Sequence, residues 1–538
     1  MLLRESPARL RLFFDMQTAS SEQGLIDFLL QPESYPESPS RIVHYQTHIS
    51  RVFVGDKRAY KIKKPVNFGF LDFTTLAKRY FYCKEEVLLN SRLADDTYLG
   101  VIPIYRKGEH YSFRPLKDSV VAEYAVKMKR IPEDKVLNNL IEEGELLHDR
   151  LVRTGEIIAR FHLNAPIYKS GPYGGVGTVR TNTEENFEQI APYRDVIIDE
   201  ASYARLASYT RDFIRDNHEC FAARKKRGFV REVHGDLHSK HICLTKPPII
   251  FDCIEFNKRF RISDVLEDIA FLLMDLEYQG RFDLARAVSH AYFSSFPDAA
   301  SPDVLRFYKI YRAVVRGKIE GFTADALQHD EEGRRAAVRR AKDYYGLARH
   351  YVDDHGDIFN PVVFMGVSGS GKSAIANGLF PDEGVVIRSD EIRKEIAGLS
   401  VNRHVYVDYG EDIYGPGMTE TTYRIITERA VSLAKKGKRV VADATFLTSL
   451  HRLRFFEDCL RETLNPFFVY CLADEETLRE RVLQRMKDNT DISDGHIAVL
   501  ERQLQTMEEP RELPSFRVMK VNTRDKPEII RGVLKSFL

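Results

Sequence analysis

Asp236, Asp252 and Glu255 stand in two short strings, Val233 to Ile242 (VHGDLHSKHI) and Ile249 to Phe256 (IIFDCIEF), separated by a predicted β-hairpin. Two carboxylate sites so spaced suit phosphoryl transfer: one carboxylate orients a hydroxyl acceptor while the others hold Mg²⁺ against the phosphates. Such a site also needs a lysine for the nucleotide. Lys61, on a strand-like run, supplies it, and Glu86 in the following helical stretch can pair with it; Lys63 and Glu85 are close rivals. A second constellation lies far downstream. The apolar run Pro361 to Met365 (PVVFM) leads into Gly366 to Ser373 (GVSGSGKS), which matches G-x-x-x-x-G-K-[ST] between a strand and a helix. Gly366, Ser368, Gly369, Ser370 and Gly371 would turn backbone N–H groups toward a phosphate, aided by the helix N-terminus. Lys372 would span the β- and γ-phosphates, and the Ser373 hydroxyl would ligate Mg²⁺.

A loop of this kind indicates a nucleotide without naming a reaction. Asp390 and Arg393, three apart at a predicted strand-to-helix junction, share one face. Asp390 could accept the proton of an acceptor hydroxyl and Arg393 could bind an anionic acceptor; an N-cap beside an ordinary surface arginine is the competing reading. Val440 to Thr445 (VVADAT) is an apolar strand ending in Asp443, suited to holding Mg²⁺ or touching the acceptor. Arg481 and Arg485, four apart on one helical run, face one way and could neutralise developing charge from a lid; a solvated helix face is the alternative.

The elements that must position these residues follow from hydrophobic spacing. Ile42 to Lys64 reads as strands and Leu76 to Leu93 as a helix, together a small β-rich lobe with one long helix. Helical spacing dominates from Leu140 to about Arg215, and again after Phe256 to about Tyr351. Residues 351–360 (YVDDHGDIFN) read as a linker before Pro361. Beyond it, strand, glycine loop, helix and further β/α alternation predict an open parallel sheet.

HGDLH, the following Asp-containing strand and the Asp264/Asp268 segment resemble the aminoglycoside phosphotransferase and choline kinase group, over roughly residues 40 to 350. The resemblance implies a protein-kinase-like bilobal fold, with Asp236 as catalytic base, Asp252 as metal ligand, Lys61 as phosphate ligand and Glu86 as its partner. Glu255 is a second candidate metal ligand, and the Asp-x-x-Glu spacing leaves open which carboxylate is principal. Asp268 reads as structural. Two departures stand out. The group places Asn five residues after the catalytic Asp to bind Mg²⁺, whereas here that residue is His241, which suits softer metals and admits Mn²⁺. No glycine-rich loop joins the first strands; Thr47 to Ser50 stands there instead. A zinc site of His234, His238 and His241 is set aside, because His234 reads as a structural hydrogen-bonding residue and no Glu is placed as a metalloprotease base.

GVSGSGKS, SDEIR, VADAT and LRERVLQR, in that order, resemble the P-loop kinases related to polynucleotide 5′-hydroxyl kinases and zeta toxins. That likeness implies Asp390 as general base, Arg393 as acceptor-binding residue, and Arg481 and Arg485 as lid arginines. The whole layout resembles bacterial fusions of these two domain types.

Length and charge bound the rest. At roughly 150 residues per domain, 538 residues exceed one core. Eighty basic and 79 acidic residues leave +1, and from Gly356 onward 26 basic oppose 28 acidic, so neither part binds polyanions by bulk charge. The longest apolar run, near Ile269 to Leu276, falls short of the ~20 residues of a membrane span. Cys83, Cys220, Cys243, Cys253, Cys459 and Cys471 form no CxxC pair, as in a reducing cytoplasm. The expected organisation is an N-terminal extension over 1–40 with Met16 as a candidate start, an α+β kinase-like domain over 41–350, a linker over 351–360, and an α/β P-loop domain with a parallel sheet over 361–538. The expected activity is ATP- and Mg²⁺-dependent transfer to small hydroxyl acceptors, with a nucleic-acid end open for the second domain. The alternative is a regulatory ATP-binding protein whose first domain is a pseudokinase.

Overall fold

The computed structural model describes residues 22–69, 71–353, 358–400, 415–488 and 497–538. The candidate start at Met16 and residues 354–357 of the expected linker lie outside them. The described residues form two compact units. One takes the chain up to Val136 together with Asn164–Gly174 and Lys225–Asp264; the other takes Leu137–Leu163, Gly175–Arg224 and the chain from Val265 on.

The first unit is built on six strands: β1 (Val43–Gln46), β2 (Ser50–Val54), β3 (Arg58–Lys63), β4 (Tyr98–Lys107), β5 (His110–Ser112) and β6 (Val120–Lys129). They form one antiparallel sheet in the order β1-β2-β3-β6-β4-β5. Side chains alternate across a strand, so β3 sends Tyr60 and Ile62 into a core with Phe53, Ile104 and Ala125. Ala59, Lys61 and Lys63 point to the other face. The helix Leu76–Asn90 covers that face; Thr75 caps it by accepting from the Lys78 N–H at 3.2 Å. Its buried residues Arg79, Cys83, Glu86 and Asn90 recur at three and four, so one carboxylate is carried inside and needs a partner there. Residues 22–40, expected as an extension, belong to this unit. Residues 22–30 are helical, and Leu25, Leu29 and Tyr35 pack with Phe53 and Tyr60.

Four short strands complete this unit: β7 (Val230–Glu232), β8 (Ile242–Cys243), β9 (Ile249–Ile250) and β10 (Ile262–Asp264), paired as β7 with β10 and β8 with β9. The expected hairpin between the carboxylate strings is β8–β9.

In the second unit, helices over Leu137–Glu142, His148–Asn164, Val176–Ile190, Glu200–Asp216, Val265–Tyr278, Pro302–Ala326 and Glu331–Asp353 accompany a parallel sheet. Asp268, read as structural, is buried and lies 3.1 Å from His162 Nε2. The sheet comprises β11 (Val362–Met365), β12 (Gly384–Arg388), β13 (Arg439–Asp443), β14 (Phe467–Leu472) and β15 (Val518–Asn522), all parallel, in the order β12-β13-β11-β14-β15. Both faces are covered: Val363, Ala442 and Phe468 join one core, and Phe364, Val441 and Val469 the other. This is why β11 and β13 read as continuous apolar runs. The helices are not separated from the sheet at residues 351–360. The last helix runs to Asp353, Phe282 meets Phe359 at 5.1 Å between ring centroids, and Asn522 N–H donates to Gly144 O at 3.0 Å. The layout read from the sequence, an α+β part followed by an α/β part with a glycine loop and a parallel sheet, is the one observed. Among the described residues no helix is long and apolar enough to cross a membrane.

Candidate functional sites

In an open parallel sheet, ligands gather outside the carboxyl ends of the strands where the strand order reverses. The chain leaves central β11 there, and Gly366, Gly369 and Gly371 take φ of 137°, 81° and 82°. A Cβ on Gly369 would come within 2.8 Å of Leu478 O, so a side chain is excluded by space as well as by φ. Ser368 N–H donates to Gln503 Oε1 at 2.7 Å, and the buried Ser370 hydroxyl has no hydrogen-bond partner among the described residues. Lys372 starts the following helix and donates to Val367 O at 2.9 Å, curling over the loop. Burial lowers its pKa, and the Asp443 charge opposes that.

Asp443, at the end of the neighbouring strand, accepts a hydrogen bond from Ser373; burial raises its pKa against the pull of Lys372 and Ser373. Arg388 Nε lies 3.6 Å from Asp443 Oδ2, and Arg393 lies 3.5 Å from Asp390 Oδ1. Lys372, Ser373, Asp390, Arg393, Asp443 and Arg485 all line one cavity of about 230 Å³. An orphaned hydroxyl, a loop closed to side chains and a Ser–Asp pair fit a nucleotide phosphate with Mg²⁺. Arg481 departs from the expectation. It donates to Thr523 O at 2.6 Å, to Thr523 Oγ1 at 2.9 Å and to Gly369 O at 3.3 Å, so it fastens the glycine loop to the end of β15 instead of reaching into the cavity with Arg485. Gln503, Arg388 and Thr523 carry no motif. Only Arg388 had a signal, its place at the end of a strand one residue before the helix that bears Asp390.

The first unit gathers its own set. Lys61 Nζ lies 2.6 Å from Asp252 Oδ1 and 2.9 Å from Glu86 Oε1. Lys63, two residues on and therefore on the same face, pairs with Glu86 Oε2 at 2.7 Å and with Glu255. Burial opposes charge on Lys61, but Asp252 and then Glu86 outweigh it and hold the ammonium well above its ordinary pKa. Close packing pushes the Asp252 carboxylate up, while Lys61 and then His241 pull it further down. Glu86 therefore serves both rival lysines, and Glu85 instead faces Arg261 at 3.4 Å. Glu255 is not presented as a metal ligand. It is 6% exposed and engaged by Lys63, and burial raises its pKa.

Asp236 lies in the segment between β7 and β8. His234 Nε2–H donates to Phe251 O at 3.0 Å and its Nδ1 accepts from Asp236 N–H at 3.3 Å, the structural role expected of it. His241 stands between the two aspartates: Nδ1 is 2.9 Å from Asp236 O, and Nε2 is 3.5 Å from Asp252 Oδ2. Thr47, which replaces a glycine loop, spends its hydroxyl on the Ser50 and Ile49 N–H groups within the β1–β2 turn.

A family model described as "AAA domain" matches residues 362–510. An uncharacterized protein of Mycobacterium tuberculosis is 29% identical over 457 residues, 83% of this chain and 86% of its own length, and an uncharacterized protein of Mycobacterium bovis matches to the same extent. Among solved structures, a gluconokinase from Sinorhizobium meliloti is 24% identical over 33% of this chain and 91% of that protein, with a TM-score of 0.24. A choline/ethanolamine kinase family protein from Mesorhizobium loti is 12% identical over 62% of this chain and 96% of that protein, with a TM-score of 0.37.

Proposed function

We propose that the protein is an ATP-dependent phosphotransferase acting on hydroxyl acceptors, with kinase-like parts over residues 41–350 and 361–538. The observation that carries this reading is the single cavity in which a phosphate loop, a Ser373–Asp443 pair and the Asp390–Arg393 pair face one another. Bound ATP supplies the phosphoryl group and Mg²⁺ screens its charge, with Ser370, Lys372, Ser373 and Asp443 as the residues that hold them. Asp390 holds the acceptor hydroxyl and takes its proton. Arg393 binds an anionic group of the acceptor, and Arg485 offsets charge at the phosphate end of the cavity. A cavity of about 230 Å³ suits a small acceptor better than a polymer, although a strand end could still reach it. That the six cysteines form no disulfide among the described residues supports a cytoplasmic setting.

In the first unit, Asp236 is the base, Lys61 with Glu86 the phosphate clamp and Asp252 the metal ligand. A second reading, in which this unit binds without catalysing, is favoured by one observation: His241 faces Asp252 where the resembled kinases carry Asn. Transfer of labelled γ-phosphate to pooled metabolites and oligonucleotides, comparing Asp236→Ala with Lys372→Ala, tests both. Two transferases require each variant to lose one labelled product. Loss in Lys372→Ala alone, under any metal, leaves the second reading.

A further inference from the structure

We infer that Arg481 and Thr523 are positioning residues for the phosphate loop and that the turn at Gly144, in a segment the sequence reading gives to the first kinase-like part, sets them in place. Nucleotide affinity at Lys372 and Ser373 is then governed from that turn. The inference rests on the nucleotide reading of the glycine loop proposed above and adds to it what holds the loop in register.

β15 closes one edge of the parallel sheet, so only β14 pairs with it as a strand. Two glycine turns from the helical segments grip it backbone to backbone. Gly144 takes φ of 75°, its carbonyl accepts from Asn522 N–H at 3.0 Å, and a Cβ there would lie 2.7 Å from Asn522 N. Gly280 takes φ of 71° at the other end of the strand, where a Cβ would lie 2.1 Å from Val518 O. Both the φ and the space exclude a side chain at either turn. Arg281, 1% exposed, ties the two turns together: its Nη1 donates to Glu145 O at 2.9 Å, while Asp283 holds the rest of the guanidinium at 2.9 and 2.8 Å. The turns therefore form one cradle under β15.

What β15 holds is the loop. The residue after Asn522 is Thr523, 4% exposed, whose N–H and hydroxyl donate to Leu472 O at 2.8 and 3.1 Å and so fix it against the end of β14. Its carbonyl and hydroxyl oxygens accept from Arg481, and the same guanidinium donates to Gly369 O. A Cβ on Gly371 would meet Thr523 Cβ at 3.3 Å and Arg481 Nη1 at 3.4 Å, so the pair stands directly behind two glycines of the loop. Arginine's planar fork can bond three oxygens in one fixed arrangement, which lysine cannot copy. Displacing Asn522 by a side chain on Gly144 moves Thr523, then Arg481, and then the N–H groups that face the phosphate.

Calorimetric titration of the full chain with ATP tests this, binding at the loop being the component that Lys372→Ala removes. Gly144→Ala, Thr523→Val, Arg481→Lys and Arg481→Ala should each weaken that component roughly tenfold or more, the scale of a lost charge-assisted hydrogen bond. The double variant Gly144→Ala/Arg481→Ala should bind no more weakly than Arg481→Ala, because the turn acts through the arginine. Gly437 has φ of 77° and open space where a Cβ would stand. Gly437→Ala thus adds the backbone strain of Gly144→Ala without its clash, and should keep wild-type affinity. Circular dichroism of each variant establishes that it folds, and Thr523→Val, which keeps the shape and removes the hydroxyl, decides the matter if Gly144→Ala does not. Wild-type affinity in folded Gly144→Ala or in Thr523→Val, or a double variant weakened by the product of the two single effects, overturns the inference and leaves the nucleotide reading standing. A wild type with no Lys372-dependent component overturns both.

Discussion

At the scale of single residues, the two lysines of β3 do different work. Lys61 meets Asp252 at the carboxylate site, while Lys63, 2% exposed, holds Glu86 and Glu255 inside the unit. Lys63→Met should therefore act on stability. Removing one partner of a buried ion network costs about 3–5 kcal/mol, read from chemical denaturation, whereas Lys61→Met should cost less in stability and show in nucleotide binding. Lys372→Ala should lower phosphoryl transfer by roughly 100-fold or more, the scale on which preorganised charge stabilisation acts, measured as turnover with labelled ATP. Motif residues were legible because their chemistry is local: the glycines, Lys372 and Ser373 follow one another along a single turn. Glu86 over Glu85 was a matter of helix phase, which the sequence left open until the buried face of Leu76–Asn90 was known. Arg481 was misplaced for a related reason. Spacing of four puts it beside Arg485 on the helix, but only the end of β15 reveals Thr523 waiting for it.

At the scale of elements, parity and sheet order do the positioning. Period-two alternation sets Lys61 and Lys63 on the face that Leu76–Asn90 covers, and the β12-β13-β11 neighbourhood brings Arg388 and Asp443 beside the glycine loop. Core truncation should be felt at once. Phe364 is fully buried on β11, and Phe364→Ala should cost about 3–5 kcal/mol, measured by denaturation of the second unit. A pH effect belongs at this scale too. Asp343, on the helix Glu331–Asp353, accepts from Ser515 N–H at 3.2 Å and from its hydroxyl at 2.8 Å, and burial raises its pKa to about 6. A carboxyl raised in the folded state binds its proton more tightly there than when unfolded. Its contribution to stability is therefore full below about pH 4 and is lost as pH rises through about 6. Melting of the wild type against Asp343→Asn should show the wild type losing ground between those values and no further change above pH 7. Strand and helix types were legible from periodicity. The helix that extends to Asp353 was not, because the polar stretch after Tyr351 carries the composition of a linker whether or not its first residues are helical.

At the scale of the whole molecule, the chain divides differently from the way its motifs do. Sequence likeness splits it near residue 356, whereas helical segments before that point join the parallel-sheet part through Gly144, Phe282 and Asp343. Such contacts join residues far apart in sequence, and no local pattern announces them. A nucleotide at the phosphate loop should stabilise the second unit by about 2.7 kcal/mol at a hundredfold excess over Kd. That raises its Tm by several degrees, and the shift should vanish in Lys372→Ala. The most direct test of phosphoryl transfer from the P-loop cavity is the acceptor screen with labelled γ-phosphate, run on the wild type, Lys372→Ala and Asp390→Asn. A labelled hydroxyl product that disappears in both variants is the predicted result. A product formed equally well by all three, or nucleotide binding with no labelled product in any pool, would contradict it.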